Sequence, residues 1–246
     1  MDIFARVINL DERLDRWQRL QPVLKRSRYT IERFPAVKVS KEFALSKQLS
    51  PLSLRTRANL FRERKNHEDV HGLGAVGCYL SHVEVWKQFL HSGAQLCLVL
   101  EDDIRDTSDI DLHMDWFLQR RKEWDVALLG WLSMRPLEYT SVGTVKPFPS
   151  AQGFFGAHSY MLTRAAAQFL VQSAFPVELQ ADLYLQAICD RFELRILATP
   201  YEPIRQLHTG SNVWTLCLLC NTKLVYTTWA LAIAAIVYTV CIALDL

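Results

Sequence analysis

GAVGCYLSHVEVWKQFLHSGAQLCLVLEDD, residues 74–103, decides the fold. Across Ala75–His91, Val76, Leu80, Val83, Trp86 and Leu90 recur on one side at helical spacing, so the segment predicts a helix. Ser92-Gly93 supplies a short turn, and Leu96–Leu100 then runs without a polar residue. An apolar strand that lacks alternation is covered on both faces, as in the centre of a parallel sheet. It leads straight into Glu101-Asp102-Asp103.

The same grammar extends outward. Ile3–Asn9 reads as a first strand with apolar residues on both faces. Asp11 is positioned to cap a helix carrying Leu14, Trp17, Leu20 and Leu24 on one side, and Pro22 should end or kink it. Tyr29–Val37 alternates enough for a second strand. Lys38 to Gly72 is polar and charged without a sustained period, and predicts a long loop with short helical pieces. Beyond the acidic triplet come a helix near Leu112–Arg121, a strand Val126–Leu129 ended by Gly130, and the segment His158–Thr163. Helices are expected over Arg164–Ser173 and Ala181–Asp190, with a last strand at Leu194–Ala198. Strands alternating with helices predict an α/β domain with a mostly parallel central sheet.

With 246 residues, half of them apolar, the chain can bury one full core. A net charge of +2 and 22% charged residues describe an ordinary globular chain. They give no reason to expect a nucleic-acid partner, and no nucleic-acid-binding motif is present. Cys78, Cys97 and Cys189 stand in apolar segments and read as small buried hydrophobes. Cys217 and Cys220 form a CxxC without a second ligand pair, which argues against zinc; they read as two free thiols in an apolar approach segment, with S-acylation the alternative.

Leu224–Leu244 contains no charged residue. As a helix it would reach roughly 30 Å, the thickness of a bilayer core, with Tyr226, Trp229 and Lys223 at one interface. The sequence thus predicts a domain over 1–212, a juxtamembrane stretch over 213–223 and a transmembrane helix over 224–244. The expected arrangement is single-pass and tail-anchored, with the catalytic domain facing the cytosol.

The acidic triplet carries the chemistry. In open α/β sheets ligands sit outside the carboxyl ends of strands. Carboxylates placed there can hold Mg²⁺ or Mn²⁺, which prefer hard oxygen ligands and share them with substrate phosphates. GLGAVG at Gly72–Gly77 is a weak alternative phosphate loop, because no Rossmann first strand precedes it and no Walker lysine follows.

Five blocks in register extend this reading: VINLDERLDRW (Val7–Trp17), GAVGCYLSHVEVW (Gly74–Trp86), LVLEDD (Leu98–Asp103), WDVALLG (Trp124–Gly130) and GAHSYMLTRAAAQFL (Gly156–Leu170). Together they resemble the signature blocks of glycosyltransferase family 25, the lipooligosaccharide and collagen galactosyltransferase-related group, over roughly residues 3 to 212. The resemblance implies a GT-A-like, single Rossmann-type nucleotide-sugar-binding domain, a divalent metal, a UDP-sugar donor and inversion at the anomeric carbon.

By position, the resemblance assigns Glu101, Asp102 and Asp103 to the metal-binding motif, with Asp103 the first choice as direct ligand, Glu101 beside it and Asp102 toward the donor. It sets Asn9, Arg13 and Arg16 near the nucleotide, where an Arg can bridge phosphate oxygens. Ser81 and His82 are expected to line the donor pocket. Asp182 is the expected general base for the acceptor hydroxyl, Glu178 the reserve, and His208 a further metal ligand. The expected partners are a nucleotide-sugar, a glycan, protein or lipid-linked acceptor, and a membrane. The alternative is a catalytically degenerate transferase fold acting as a membrane scaffold or binding protein, and a metal-dependent hydrolase is a more distant one.

Overall fold

The computed structural model describes residues 2–46, 51–60, 70–105, 110–132, 154–198 and 204–207. Along the chain run β1 (Ile3–Asn9), α1 (Leu14–Leu24), β2 (Ile31–Pro35), α2 (Lys41–Leu45), α3 (Leu54–Asn59), α4 (Gly72–Ser92) and β3 (Leu96–Glu101). There follow α5 (Ile110–Gln119), β4 (Val126–Leu132), β5 (Phe155–Thr163), α6 (Arg164–Gln172), α7 (Ala181–Arg191) and β6 (Ile196–Ala198). The strands form one six-stranded sheet in the order β2-β1-β3-β5-β4-β6. β5 runs antiparallel to both its neighbours, and the other pairings are parallel. The result is a single mixed α/β domain with a mostly parallel, Rossmann-like sheet.

Strand parity builds two cores. In β3, Cys97 and Val99 face a layer made by α4, α6 and α7, with Val76, Tyr79, Trp86, Leu170 and Leu185. Leu96, Leu98 and Leu100 face the opposite layer, where Leu20 and Leu24 of α1 meet Met114 and Phe117 of α5. Both faces of β3 are closed, which is why its sequence shows no alternation. Each such side chain contributes about 1.5–3 kcal/mol by leaving water.

Local chemistry sets the element ends. Gly93 closes α4 in the left-handed region at φ 76°, a conformation that costs a side-chain-bearing residue energy. Thr163 ends β5 and caps α6 by accepting from the Ala166 amide at 3.1 Å.

Several boundaries differ from the sequence expectation. Asp11 does not cap α1: the helix begins at Leu14 after a turn, and Asp11 pairs with Arg33. Leu14 is exposed, Leu20 and Leu24 are buried as expected with Trp17 packed beside them, and Arg16 and Val23 join the buried face. Pro22 lies inside the last turn of α1, and the helix stops two residues later. Gly130 does not end β4 but sits at a register shift within it. A Cβ there would lie 2.4 Å from His158 Nε2 and 2.5 Å from the Ile204 carbonyl, so the strand needs glycine for close approach rather than for termination. Among the described residues no helix is long and apolar enough to cross a membrane. Leu224–Leu244, Cys217, Cys220 and His208 lie outside the described residues.

Gly77 lets α4 approach the Val37 backbone, and Ser81 secures that approach by accepting from the Val37 amide at 2.8 Å and donating to the Gly77 carbonyl at 2.6 Å. A Cβ on Gly77 would fall 2.5 Å from the Val37 carbonyl oxygen. In a free helix Gly→Ala gains about 1 kcal/mol, whereas overpacking costs about 1–3 kcal/mol. Gly77→Ala should therefore lower the urea midpoint, and a raised midpoint would show that the 36–39 segment gives way freely.

Candidate active site

β1 and β3 lie side by side and end together, with Ile8 opposite Glu101. Their carboxyl ends deliver Asn9 and the acidic triplet to one edge of the sheet. Asp102 is buried there. Its Oδ2 accepts from Asn9 Nδ2 at 2.7 Å, and its Oδ1 from Arg16 Nη1 at 2.7 Å. Arg19 donates to the Asp102 and Ile104 carbonyls at 3.0 and 2.8 Å, fixing the turn's backbone. Asn9 is held in turn by Arg33, whose Nε reaches its Oδ1 at 2.7 Å. Both Asp102 oxygens are thus engaged inside the protein.

Glu101 is held from behind by a chain of buried donors. Trp86 Nε1, which can only donate, bonds the Tyr160 hydroxyl oxygen at 2.9 Å. The Tyr160 hydroxyl lies 2.8 Å from His82 Nδ1, and His82 Nε2 lies 3.1 Å from Glu101 Oε1. Every group in this chain is satisfied if Tyr160 donates to His82 and His82 donates to Glu101. The Cys78 thiol also donates to Glu101 Oε1, at 3.8 Å. Cys78, His82 and Glu101 bring one potential ligand atom each within 4.8 Å, but this wiring makes His82 a donor toward Glu101 rather than a lone-pair ligand.

Asp103 completes the acidic edge. Gln206 Nε2 donates to Glu101 Oε2 at 3.2 Å and to Asp103 Oδ1 at 3.3 Å. Arg16 stands 3.7 Å from Asp103 Oδ2. Gln206 arrives on a strap, residues 204–207, bonded at four points: Ile204 N to the Leu129 carbonyl, His158 Nε2 to the Ile204 carbonyl, Arg105 N to the Arg205 carbonyl, and Leu207 N to the Asp103 carbonyl. Burial and the neighbouring Glu101 charge push the Asp103 carboxyl up to about 7 despite Arg16. Burial would raise Glu101 too, but the hydrogen bonds it accepts from His82 and Cys78 hold it below the usual glutamate range. Burial lowers His158, so this imidazole is neutral at physiological pH.

A cavity of about 340 Å³ opens in front of these groups, within the range of small-molecule sites. Its apolar wall includes Ile8, Leu10, Val37, Val39 and Leu73, and its polar rim is Glu12, Arg16, Lys38, Glu101, Asp102 and Asp103.

The residues singled out in the sequence occupy distinct places. Arg16, Ser81, Glu101, Asp102 and Asp103 border the cavity, although the Ser81 hydroxyl is occupied by α4 and Val37. Arg16 is buried against Asp102. Asn9 lies beneath Asp102, and Arg13 forms a paired bond to Asp15 at the surface. His82 stands behind Glu101. Asp182, the second residue of α7, accepts from the Gly156 amide at 2.9 Å and the Leu183 amide at 2.8 Å; its charge also reaches Cys78 and His158. The N-cap of α7 is Gln180. Glu178 is exposed on the preceding loop. Arg19, Arg33, Tyr160, His158 and Gln206 were not singled out. They join the site through contacts tens of residues apart in sequence, and of the quoted blocks only GAHSYMLTRAAAQFL contains any of them, His158 and Tyr160.

A protein-family model described as "Glycosyltransferase family 25 (LPS biosynthesis protein)" matches residues 3–185. The chain is 29% identical over 124 residues to the "Probable inactive glycosyltransferase 25 family member 3" of Rattus norvegicus, covering 48% of this chain and 22% of that protein. It is 27% identical over 135 residues to "Procollagen galactosyltransferase 2" of Homo sapiens, covering 52% and 22%. The chain therefore spans about a fifth of the length of these curated relatives. A solved 4-diphosphocytidyl-2C-methyl-D-erythritolsynthase from Anaerococcus prevotii overlays 90% of this chain and 97% of that one at TM-score 0.36 and 10% identity, too distant to carry an argument.

The raised Asp103 carboxyl makes a signed prediction. The folded state holds this proton more tightly than the unfolded chain, whose value is 3.8. Its contribution is therefore intact below about pH 4 and is lost as pH rises through about 7. Asp103→Asn, neutral at every pH, removes that slope. Relative to the wild type, the variant should gain stability between pH 4 and 8, by about 4 kcal/mol at most. Denaturation curves at pH 4.5 and 8 test this, and a pH-independent difference would contradict it.

Proposed function

The chain belongs to glycosyltransferase family 25, and from that premise we propose that it transfers a hexose, galactose or glucose, from a UDP-sugar to a glycan, protein or lipid-linked acceptor. The observation that carries this reading is the pair Glu101 and Asp103, joined by one amide at the mouth of an apolar cavity on the carboxyl edge of the sheet. Both offer hard oxygen atoms, and burial together with the Glu101 charge raises the Asp103 carboxyl. That chemistry fits Mg²⁺ or Mn²⁺. Asp102 is the less suited direct ligand, since its two oxygens accept short hydrogen bonds from Asn9 and the Arg16 cation.

In this reading Glu101 and Asp103 would hold a divalent cation whose charge neutralises the diphosphate as it leaves. The apolar wall takes the nucleoside base and excludes water. Asp182 accepts the proton of the acceptor hydroxyl as its oxygen bonds the anomeric carbon. The bond from that carbon to the diphosphate breaks, UDP departs with the electron pair, and the centre inverts. Glu178 is the reserve base. Leu224–Leu244 would anchor the domain to a membrane.

A second reading is a binding protein that has lost catalysis. The relatives named as inactive favour it. Transfer or hydrolysis of UDP-galactose and UDP-glucose, with and without Mn²⁺, separates the two.

Asp103→Ala should abolish Mn²⁺-dependent turnover, and wild-type turnover by that variant in chelator would remove the metal from the account. Asp182→Asn should lower kcat about 10²–10⁴-fold with donor binding nearly unchanged; an equal loss of donor binding would move Asp182 to the nucleotide. The full chain should stay with membranes through high salt and alkaline extraction, and Ile233→Arg should weaken that retention, at a cost of about 2.5–3.5 kcal/mol. Free solubility without detergent would contradict the anchor.

A further inference from the structure

Gln206 occupies an unusual position for an amide. Its Nε2 bridges Glu101 Oε2 and Asp103 Oδ1, so it donates to the two carboxylates assigned to the cation. Both bonds are long for N–H···O contacts. We propose that Gln206 is itself a ligand of that cation: it donates through Nε2 when the site is empty of metal and offers Oε1 after a half-turn about Cγ–Cδ. The inference rests on the reading that Glu101 and Asp103 hold a divalent cation.

Three observations support it. The strap carrying Gln206 is held through the backbone bonds described above and by His158, so the head group can turn while its stem stays in place. A glutamine carbonyl is a hard oxygen donor of the kind that Mg²⁺, Mn²⁺ and Ca²⁺ accept. The third observation concerns the far side of the amide. His158 is fully buried, and its Nε2 donates to Ile204, which leaves Nδ1 as an acceptor with no partner among the described residues.

The position that a Cβ on Gly156 would fill is 2.8 Å from His158 Nδ1 and 3.8 Å from Gln206 Oε1. Two acceptors thus flank one bare glycine. The half-turn replaces the amide oxygen there with a donor and delivers the oxygen to the carboxylates. Arg16 cannot substitute, because it is a cation already committed to Asp102.

Mn²⁺ binding to the full 246-residue chain, read from the electron paramagnetic resonance signal of free Mn²⁺, tests this without any turnover. Gln206→Met keeps the stem and removes both polar atoms, and should weaken Mn²⁺ binding about tenfold or more. Gln206→Glu, which retains an oxygen ligand, should bind Mn²⁺ at least as tightly as the wild type. Asp103→Asn is the control for the underlying reading. If the wild type binds, Asp103→Asn does not, and Gln206→Met matches or exceeds the wild type, the amide is only a plug and this inference alone fails. If the wild type binds no Mn²⁺, the cation reading fails and the inference with it. Should Gln206→Met not fold, weakened binding by Gln206→Glu overturns the proposal and retained binding supports it.

Discussion

The buried carboxylate of Asp102 is the constraint on which the rest depends. It ties β1 through Asn9, α1 through Arg16 and the end of β3 into one unit. Charge-assisted bonds of this length are the strong ones, and removing one partner of a buried ion pair costs about 3–5 kcal/mol. The arrangement also decides what its neighbours can do. With Asp102 turned inward, Glu101 and Asp103 on either side are directed to the cavity and to the strap.

The two outward carboxylates are not equivalent. Glu101 rests on the line of buried donors from Trp86 through Tyr160 and His82, which favours its charged form. Among the described residues, the more distant Arg16 and the Gln206 amide oppose burial and the charge of Glu101 at Asp103, and its proton is held accordingly. One site therefore contains a fixed anion and a second that ionises with reluctance. In the proposed reaction a divalent cation would relieve that imbalance beside the leaving diphosphate.

Much of this was legible in the sequence, for physical reasons. Ile3–Asn9 and Leu96–Leu100 are apolar on both faces because both faces are covered, and the acidic triplet follows from where β3 ends. The division of labour within the triplet was not legible. Which carboxylate is clamped depends on Asn9 and Arg16, and no local pattern links those residues to Asp102. The reversed direction of β5 has no periodic signature either. The buried face of α1 takes in Arg16 and Val23 beside the expected Leu20 and Leu24, which the apolar spacing did not show. Gln206 and His158 carry ordinary side chains in unpatterned stretches, and only the closure of the strap onto β4 and β5 gives them meaning. The reading of Gly130 as a strand end failed because a glycine can also permit contact.

The most direct test is the anomalous scattering of Mn²⁺ in crystals of the full chain grown with Mn²⁺ and UDP. The account predicts one peak between Glu101 and Asp103, facing the diphosphate, with Asp102 still bonded to Asn9 and Arg16. A peak coordinated by Asp102, or UDP bound in the cavity with no Mn²⁺ at this edge, would contradict it.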